Sequence, residues 1–160
     1  MIEVINEDLL KITRGVICHQ TNCMGVAGGL ARAVFNKYPE AYSQYKITVQ
    51  SFVDDWMPLG TTDLIEVKPN LYIANLYGQY DYGTDCRRTE YGTFRMCLRD
   101  LINSIQWQLG AKKDKEGLSN IYFPYAVGCG LGGGDWEIVK NIIKYEFSDY
   151  KFKIYICHKV

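Results

Sequence analysis

The chain has 160 residues, 48% of them hydrophobic and 22% charged, and its 18 Lys+Arg offset 18 Asp+Glu to a formal charge of zero. That length corresponds to about one domain at roughly 100–200 residues each, large enough to bury a core without staples, and the composition excludes wholesale disorder. Zero net charge removes the electrostatic case for a protein that coats nucleic acid.

Ile2 to Ile5 alternates as a short strand, and Asn6, Glu7 and Asp8 then cap a brief helical turn at Leu9 and Leu10. The early acids and the lack of a long apolar run predict no signal peptide, and no stretch of 18 apolar residues predicts a membrane span. Gly15 to Cys18 fits a buried strand that runs into a turn-rich stretch, His19 to Gly29. Leu30, Ala31, Val34, Phe35 and Tyr38 fall at helical spacing. Pro39 ends that helix and opens another, through Tyr42 and Tyr45 to about Val49. Thr62 to Val67 and Leu71 to Tyr77 read as two strands joined by a turn at Lys68-Pro69-Asn70. After a long loop, Gly78 to Arg88, Thr89 is placed to cap a helix with Phe94, Leu98, Leu101, Ile102 and Ile105 on one face, and Gly110 to stop it. Residues 111–119 read as a polar surface loop. Ile121 to Val127 is a strand, Gly128 to Gly134 a glycine loop, and Asp135 the cap of a helix carrying Trp136, Ile138, Val139, Ile142 and Ile143. Lys151 to Cys157 alternates as the last strand. This order predicts a mixed parallel and antiparallel sheet with helices on both faces, a three-layer α/β/α fold.

The six cysteines (Cys18, Cys23, Cys86, Cys97, Cys129 and Cys157) form no C-x-x-C pair, and there are only two histidines, His19 and His158. The spacing of a zinc or redox motif is therefore missing, and a metal set of Cys18, His19, Cys23 and His158 has no spacing support. Without an export signal the cysteines are expected as reduced thiols in a cytoplasm.

Two glycine-rich turns, Asn22 to Gly29 and Gly128 to Gly134, each follow an apolar strand and precede a helix. Strand ends in open α/β sheets are ligand sites, and helix N-termini with bare N–H groups favour anions. Two such loops suggest a ligand larger than one phosphate. The second loop contains G-x-G-x-x-G at Gly128, Gly130 and Gly133, yet only 27 residues follow Gly133, too few for a second βαβ unit. The acid expected about 20 residues on has only Asp149 near it, before the next strand instead of at its end. No G-x-x-x-x-G-K-[ST] occurs, which excludes a P-loop NTPase.

Taken together, the two loops resemble those of the macro domain family, which binds ADP-ribose across such a pair. His19 to Asn22 with Gly25 to Ala31 matches its first loop. Phe123, Pro124 and Gly128 to Trp136 match its diphosphate loop, and Asn6 to Leu9 occupies the place of its Gly-Asp-Ile/Leu. The resemblance covers essentially the whole chain, 1–160, as one ADP-ribose-binding domain. Two features, His19 and the run Asn75 to Gln79 leading to Arg88, Thr89 and Tyr91, resemble the ADP-ribose-1''-phosphate phosphatase branch and its small bacterial and phage relatives. Relatives that remove ADP-ribose from acidic side chains carry an Asp where this chain has Gly132, and Glu7 replaces the usual Gly before Asp8.

The resemblance implies that Asp8 accepts from the adenine amino group, a role compatible with capping the next turn, and that Leu9 supplies an amide and an apolar wall. It implies Asn22 on the distal ribose, donating and accepting, or else an Asx-turn. Gly28, Gly29, Gly128, Cys129, Gly130, Leu131, Gly132 and Gly133 would serve the diphosphate and distal ribose. Tyr125, His158 and Tyr80 are stacking or packing residues. His19 is the candidate acid/base, or a core histidine, and Asp135 polarises it or simply caps its helix. Cys23 and Cys129 are candidate nucleophiles or small packing residues. The activity implied is binding of ADP-ribose with hydrolysis of ADP-ribose 1''-phosphate, needing no metal or cofactor. The alternatives are a non-catalytic reader and an esterase acting on O-acetyl-ADP-ribose or modified side chains. The expected partner is a small molecule, with no nucleic acid or membrane, and the chain is expected as a monomer.

Overall fold

The computed structural model describes residues 2–52, 58–83, 85–111, 117–130 and 132–159; Leu131 lies outside them. Six strands, β1 (Ile2–Asp8), β2 (Gly15–Thr21), β3 (Thr62–Lys68), β4 (Leu71–Tyr77), β5 (Asn120–Pro124) and β6 (Lys153–Lys159), form one sheet in the order β1-β6-β5-β2-β4-β3. The helices are α1 (Gly29–Lys37), α2 (Pro39–Ser51), α3 (Tyr91–Ala111) and α4 (Trp136–Glu146). Neighbouring strands are parallel except the edge pair β3 and β4, because that pair alone is joined by a tight turn instead of a helical crossover.

Strand β2 is the inner strand on which the layers meet. Val16, Ile17 and Cys18 are all fully buried, as expected of a strand covered on both faces. Alternation sends Val16 and Cys18 into a core with Phe94, Leu98, Leu101 and Ile102 of α3 and Val139, Ile142 and Ile143 of α4. It sends Ile17 into the opposite core with Val34 and Phe35 of α1 and Ala41 and Tyr45 of α2. Helices on both faces of a mixed sheet make the three-layer α/β/α arrangement.

Several boundaries differ from the sequence reading: β1 runs on to Asp8, and the last strand spans Lys153–Lys159 instead of Lys151 to Cys157. Strand β2 continues through His19, Gln20 and Thr21, because β4 pairs with it residue for residue to Thr21↔Tyr77. Strand β5 ends at Pro124, whose carbonyl accepts from Val127 N–H at 3.2 Å to turn the chain. Glu90 precedes α3, its carbonyl accepting from Phe94 N–H, while the Thr89 hydroxyl donates instead to the Gly128 carbonyl at 2.6 Å. Gly110 lies inside the last turn of α3. Asp8 and Asp135 cap as expected, accepting from Leu10 N–H and Glu137 N–H, both at 2.9 Å.

Gly15 opens β2 at φ +121°, and a Cβ there would lie 2.8 Å from both the Asn120 carbonyl oxygen and the Tyr122 ring. Gly15→Ala is expected to cost about 3 kcal/mol from overpacking and backbone strain, read as a lowered midpoint in urea unfolding.

Candidate functional site

The parallel strands β2, β4 and β5 all point their carboxyl ends to one edge of the sheet, where the open α/β rule places ligands. A cavity of about 540 Å³ lies there, lined by residues of β2 and its loop, the start of α1, the segment after β4 and the 124–132 turn. That volume is within the range of about 300–1,000 Å³ usual for small-molecule sites. Among the described residues, its lining holds no Lys, Arg, His, Asp or Glu. Polarity comes from Gln20, Thr21, Asn22, Gln79, tyrosine hydroxyls and backbone. Gly28 begins α1 without a side-chain cap, and Gly28 to Ala31 line the cavity, so the first-turn amides of α1 are left to a ligand or solvent.

The glycine loop forms the opposite wall and is bolted to the start of α3. Arg88 and Thr89 N–H groups both donate to the Gly132 carbonyl, and Gly134 N–H and the Thr89 hydroxyl both donate to the Gly128 carbonyl. Gln20 Nε2 donates to Thr89 Oγ1 (2.8 Å) and to Gln79 Oε1 (2.7 Å), which links β2 to the same assembly. A Cβ at Gly132 would overlap Thr89 Oγ1 and lie 2.7 Å from the Gly128 carbonyl oxygen. Position 132 therefore has no room for the carboxylate that some relatives carry there; Thr89 and Gln79 occupy that space. Tyr125, which lines the cavity, stacks on His158, centroids 4.5 Å apart and planes 15° apart, with Trp136 at 5.2 Å.

Of the expected site residues, Asn22, Gly28, Gly29, Tyr125, Gly128, Gly130 and Gly132 line the cavity. Asp8, Cys129, Gly133 and His158 are not among its lining residues. Leu9 is fully buried in the α1/α2 core and offers no side-chain wall to the cavity, a correction that follows from its pointing under the sheet. Asn22 is corrected as an acceptor. Its Oδ1 already receives Tyr45 OH (2.7 Å) and Met24 N–H (2.9 Å), and its Nδ2 donates to the Val26 carbonyl. Tyr45, Phe35, Tyr82, Gln20 and Gln79 line the cavity without having been singled out; in the sequence Tyr45 and Phe35 carry only the signal of apolar helix positions.

His19 is corrected as acid/base. It lies within β2, is 0% exposed, and follows Ile17 into the α1/α2 layer, edge-on to Phe35. Its Nε2 bonds Asn75 Oδ1 across the strand pair at 2.6 Å, and Nδ1 has no partner. Burial holds the imidazole down at about 4, against an ordinary 6.5, so it is neutral at pH 7. Asp135 is exposed and does not reach His19's layer; its carboxylate caps α4. Burial pushes the Cys23 thiol up to about 12 and the Cys129 thiol up to about 11, so neither is a thiolate at neutral pH. All six cysteines are free, and among the described residues no group of three His, Cys, Asp or Glu could hold a metal ion. No helix of the described residues is long and apolar enough to cross a membrane.

With this geometry in place, comparison with known proteins is decisive for the fold. A macrodomain of Mycobacterium tuberculosis DarG superposes with a TM-score of 0.78 at 21% identity, covering 100% of this chain and 99% of its own. The chain has the macrodomain fold. A Bacteroides thetaiotaomicron protein of unknown function matches with a TM-score of 0.79 at 27% identity over 98% of this chain and 97% of its own. Thermosipho africanus DarTG, solved in complex with ADP-ribose, matches with a TM-score of 0.75 at 18% identity over 98% of this chain and 41% of its own. Among curated relatives, a Debaryomyces hansenii protein named ADP-ribose 1''-phosphate phosphatase is 24% identical, over 98% of this chain and 99% of its own. An uncharacterized 17.5 kDa protein of phage T4 is 29% identical over 83% of this chain and 77% of its own. No protein-family model matches the chain. The macrodomain topology puts the two glycine turns side by side, as the sequence resemblance implied.

The buried histidine gives the fold a pH dependence of stability. An imidazole depressed in the folded state is protonated first in the unfolded chain, so His19's contribution is complete above pH 6.5 and lost as pH falls toward about 4. Wild type should lose roughly 3 kcal/mol over that window relative to His19→Gln, measured by denaturant unfolding at each pH. Asp63, raised by burial, acts in the opposite direction above its ordinary 3.8.

Proposed function

We propose that this macrodomain binds ADP-ribose, held by backbone dipoles instead of charged side chains. The observation that carries the reading is a cavity whose described lining holds no charged side chain, set between two stretches of glycine-rich backbone, with Tyr125 of the Tyr125–His158 stack in its wall. The first-turn amides of α1 and those of the cavity-lining Gly128, Gly130 and Gly132 flank the diphosphate, where converging N–H groups favour an anion. The adenine lies toward Tyr125 and His158, with Asp8, whose carboxylate is already oriented by Leu10 N–H, accepting from its amino group. The distal ribose lies at the other end of the cavity, beside Asn22 and Gln79. The ADP-ribose complex of the Thermosipho neighbour supports this choice of ligand.

A second reading, hydrolysis of ADP-ribose 1''-phosphate, is favoured by the name of the full-length Debaryomyces relative. In this cavity no described residue is a side-chain acid or base at neutral pH. Catalysis would therefore rest on positioning a water and the terminal phosphate and on stabilising charge with backbone N–H groups. Phosphate release from ADP-ribose 1''-phosphate separates this activity from a reader, and turnover on acetylated or protein-linked ADP-ribose identifies the esterase alternative.

Calorimetry with ADP-ribose is expected to give saturable one-to-one binding. Gly132→Ala, which forces the loop away from Thr89 and the Gly128 carbonyl, should weaken it at least about tenfold, equivalent to 1.4 kcal/mol, while leaving the fold in place by circular dichroism. Absence of binding at millimolar ADP-ribose would refute the reading.

A further inference from the structure

Tyr45 comes from α2, 23 residues beyond Asn22, and is 1% exposed. Its ring is clamped between Phe35 (5.1 Å) and Tyr77 (6.0 Å), both nearly parallel to it. The hydroxyl donates to Asn22 Oδ1 at 2.7 Å and receives Gly25 N–H at 3.1 Å. An amide oxygen has two lone pairs and an amide nitrogen two N–H groups. Tyr45 and Met24 fill both lone pairs of Asn22, while Val26 takes one of its two N–H groups. Flipping the amide would set nitrogen against the Met24 N–H and oxygen against the Val26 carbonyl, so the orientation is fixed by its partners. Asn22, which lines the cavity, is left with one N–H donor and no acceptor.

The place of that donor follows from strand order. Tyr125 and His158 belong to the β5–β6 side of the sheet, whereas Asn22 and Gln79 follow β2 and β4. With the base on the aromatic stack and the diphosphate at the start of α1, what is attached beyond the diphosphate is the part of the ligand left to meet Asn22, which lines the same cavity. Resting on the ADP-ribose reading above, we propose that Tyr45 is a positioning residue that fixes Asn22 as a one-way hydrogen-bond donor to that distal sugar, and so makes the site select ADP-ribose over ADP. Burial pushes the Tyr45 hydroxyl up to about 12, consistent with a group that stays protonated and keeps donating. The acceptor on the ligand is a sugar oxygen; a group that only donates at this point would face the Asn22 N–H without a partner.

The test is calorimetric titration of ADP-ribose and of ADP into wild type, Tyr45→Phe, Asn22→Ala and the double variant. Wild type should bind ADP-ribose more tightly than ADP. Tyr45→Phe keeps the stacked ring, and it should lower ADP-ribose affinity about tenfold while leaving ADP affinity within twofold. Asn22→Ala should do the same, and the double variant should lose no more than Asn22→Ala alone, since Tyr45 acts through Asn22. Equal losses for ADP and ADP-ribose, additive losses in the double variant, or unchanged binding in Tyr45→Phe would each overturn the proposal while leaving ADP-ribose binding intact. If Tyr45→Phe does not fold, Asn22→Ala carries the ADP comparison, and loss of affinity for both ligands overturns the proposal. Wild type that binds no ADP-ribose overturns the function and this inference together.

Discussion

The structure depends on the alternation of side chains along β2, a strand buried on both faces and paired in parallel with β4 and β5. A one-residue step moves a side chain from one layer of the fold to the other. That step puts His19 in the α1/α2 core and Gln20 against the glycine loop, although the two are neighbours in sequence. Thr21 and Asn22 then bring the chain out at the carboxyl edge of the sheet, where every other wall of the cavity is assembled.

The cavity relies on dipoles instead of charges. A phosphate could be met by lysine or arginine, but such side chains would have to be desolvated in a partly enclosed site. Backbone N–H groups at a helix start lack intrahelical partners and need little reorganisation to meet an anion, while the glycine loop directs the amides of Cys129, Gly133 and Gly134 to its own carbonyls. The arrangement demands that the loop be rigid. Thr89 provides that rigidity, with its N–H on the Gly132 carbonyl and its hydroxyl on the Gly128 carbonyl, and Gln20 ties it to the sheet. Nearby, Arg88 is engaged by Asp81 and Asp85 outside the cavity lining, so its charge is compensated there.

A second polar assembly lies beneath the site and has a different use. His19, Asn75 and Asp63 sit side by side on β2, β4 and β3, and Asn75 bridges the other two. Tyr77 and Thr48 hydroxyls donate to the Asp63 carboxylate, which ties α2 to the edge strand. Buried polar groups are tolerated when they are paired, and this row ties α2 to the strand pair it covers. The same α2 carries Tyr45, so the row also supports the residue that orients Asn22.

Most elements were legible from local chemistry. Helical spacing marked α1, α3 and α4, Pro39 marked the start of α2, and Lys68 to Asn70 marked the hairpin, because periodicity and turn residues act over a few positions. The boundaries at Thr21, Pro124 and Tyr91 were not legible, since pairing with β4, the turn after β5 and the demand of Gly128 on Thr89 involve partners far along the chain. The two glycine loops, and hence the region of the site, were likewise readable as bare backbone after strands. The roles of individual side chains were not. Sequence alone determined that two unsubstituted turns would follow strands and precede helices, because glycine content and strand-to-helix succession are local properties. Only tertiary structure decided that His19 would be buried and neutral, that Asn22 would be a donor and that Tyr45 would hold it, because register and layer packing join residues that nothing in the linear order connects.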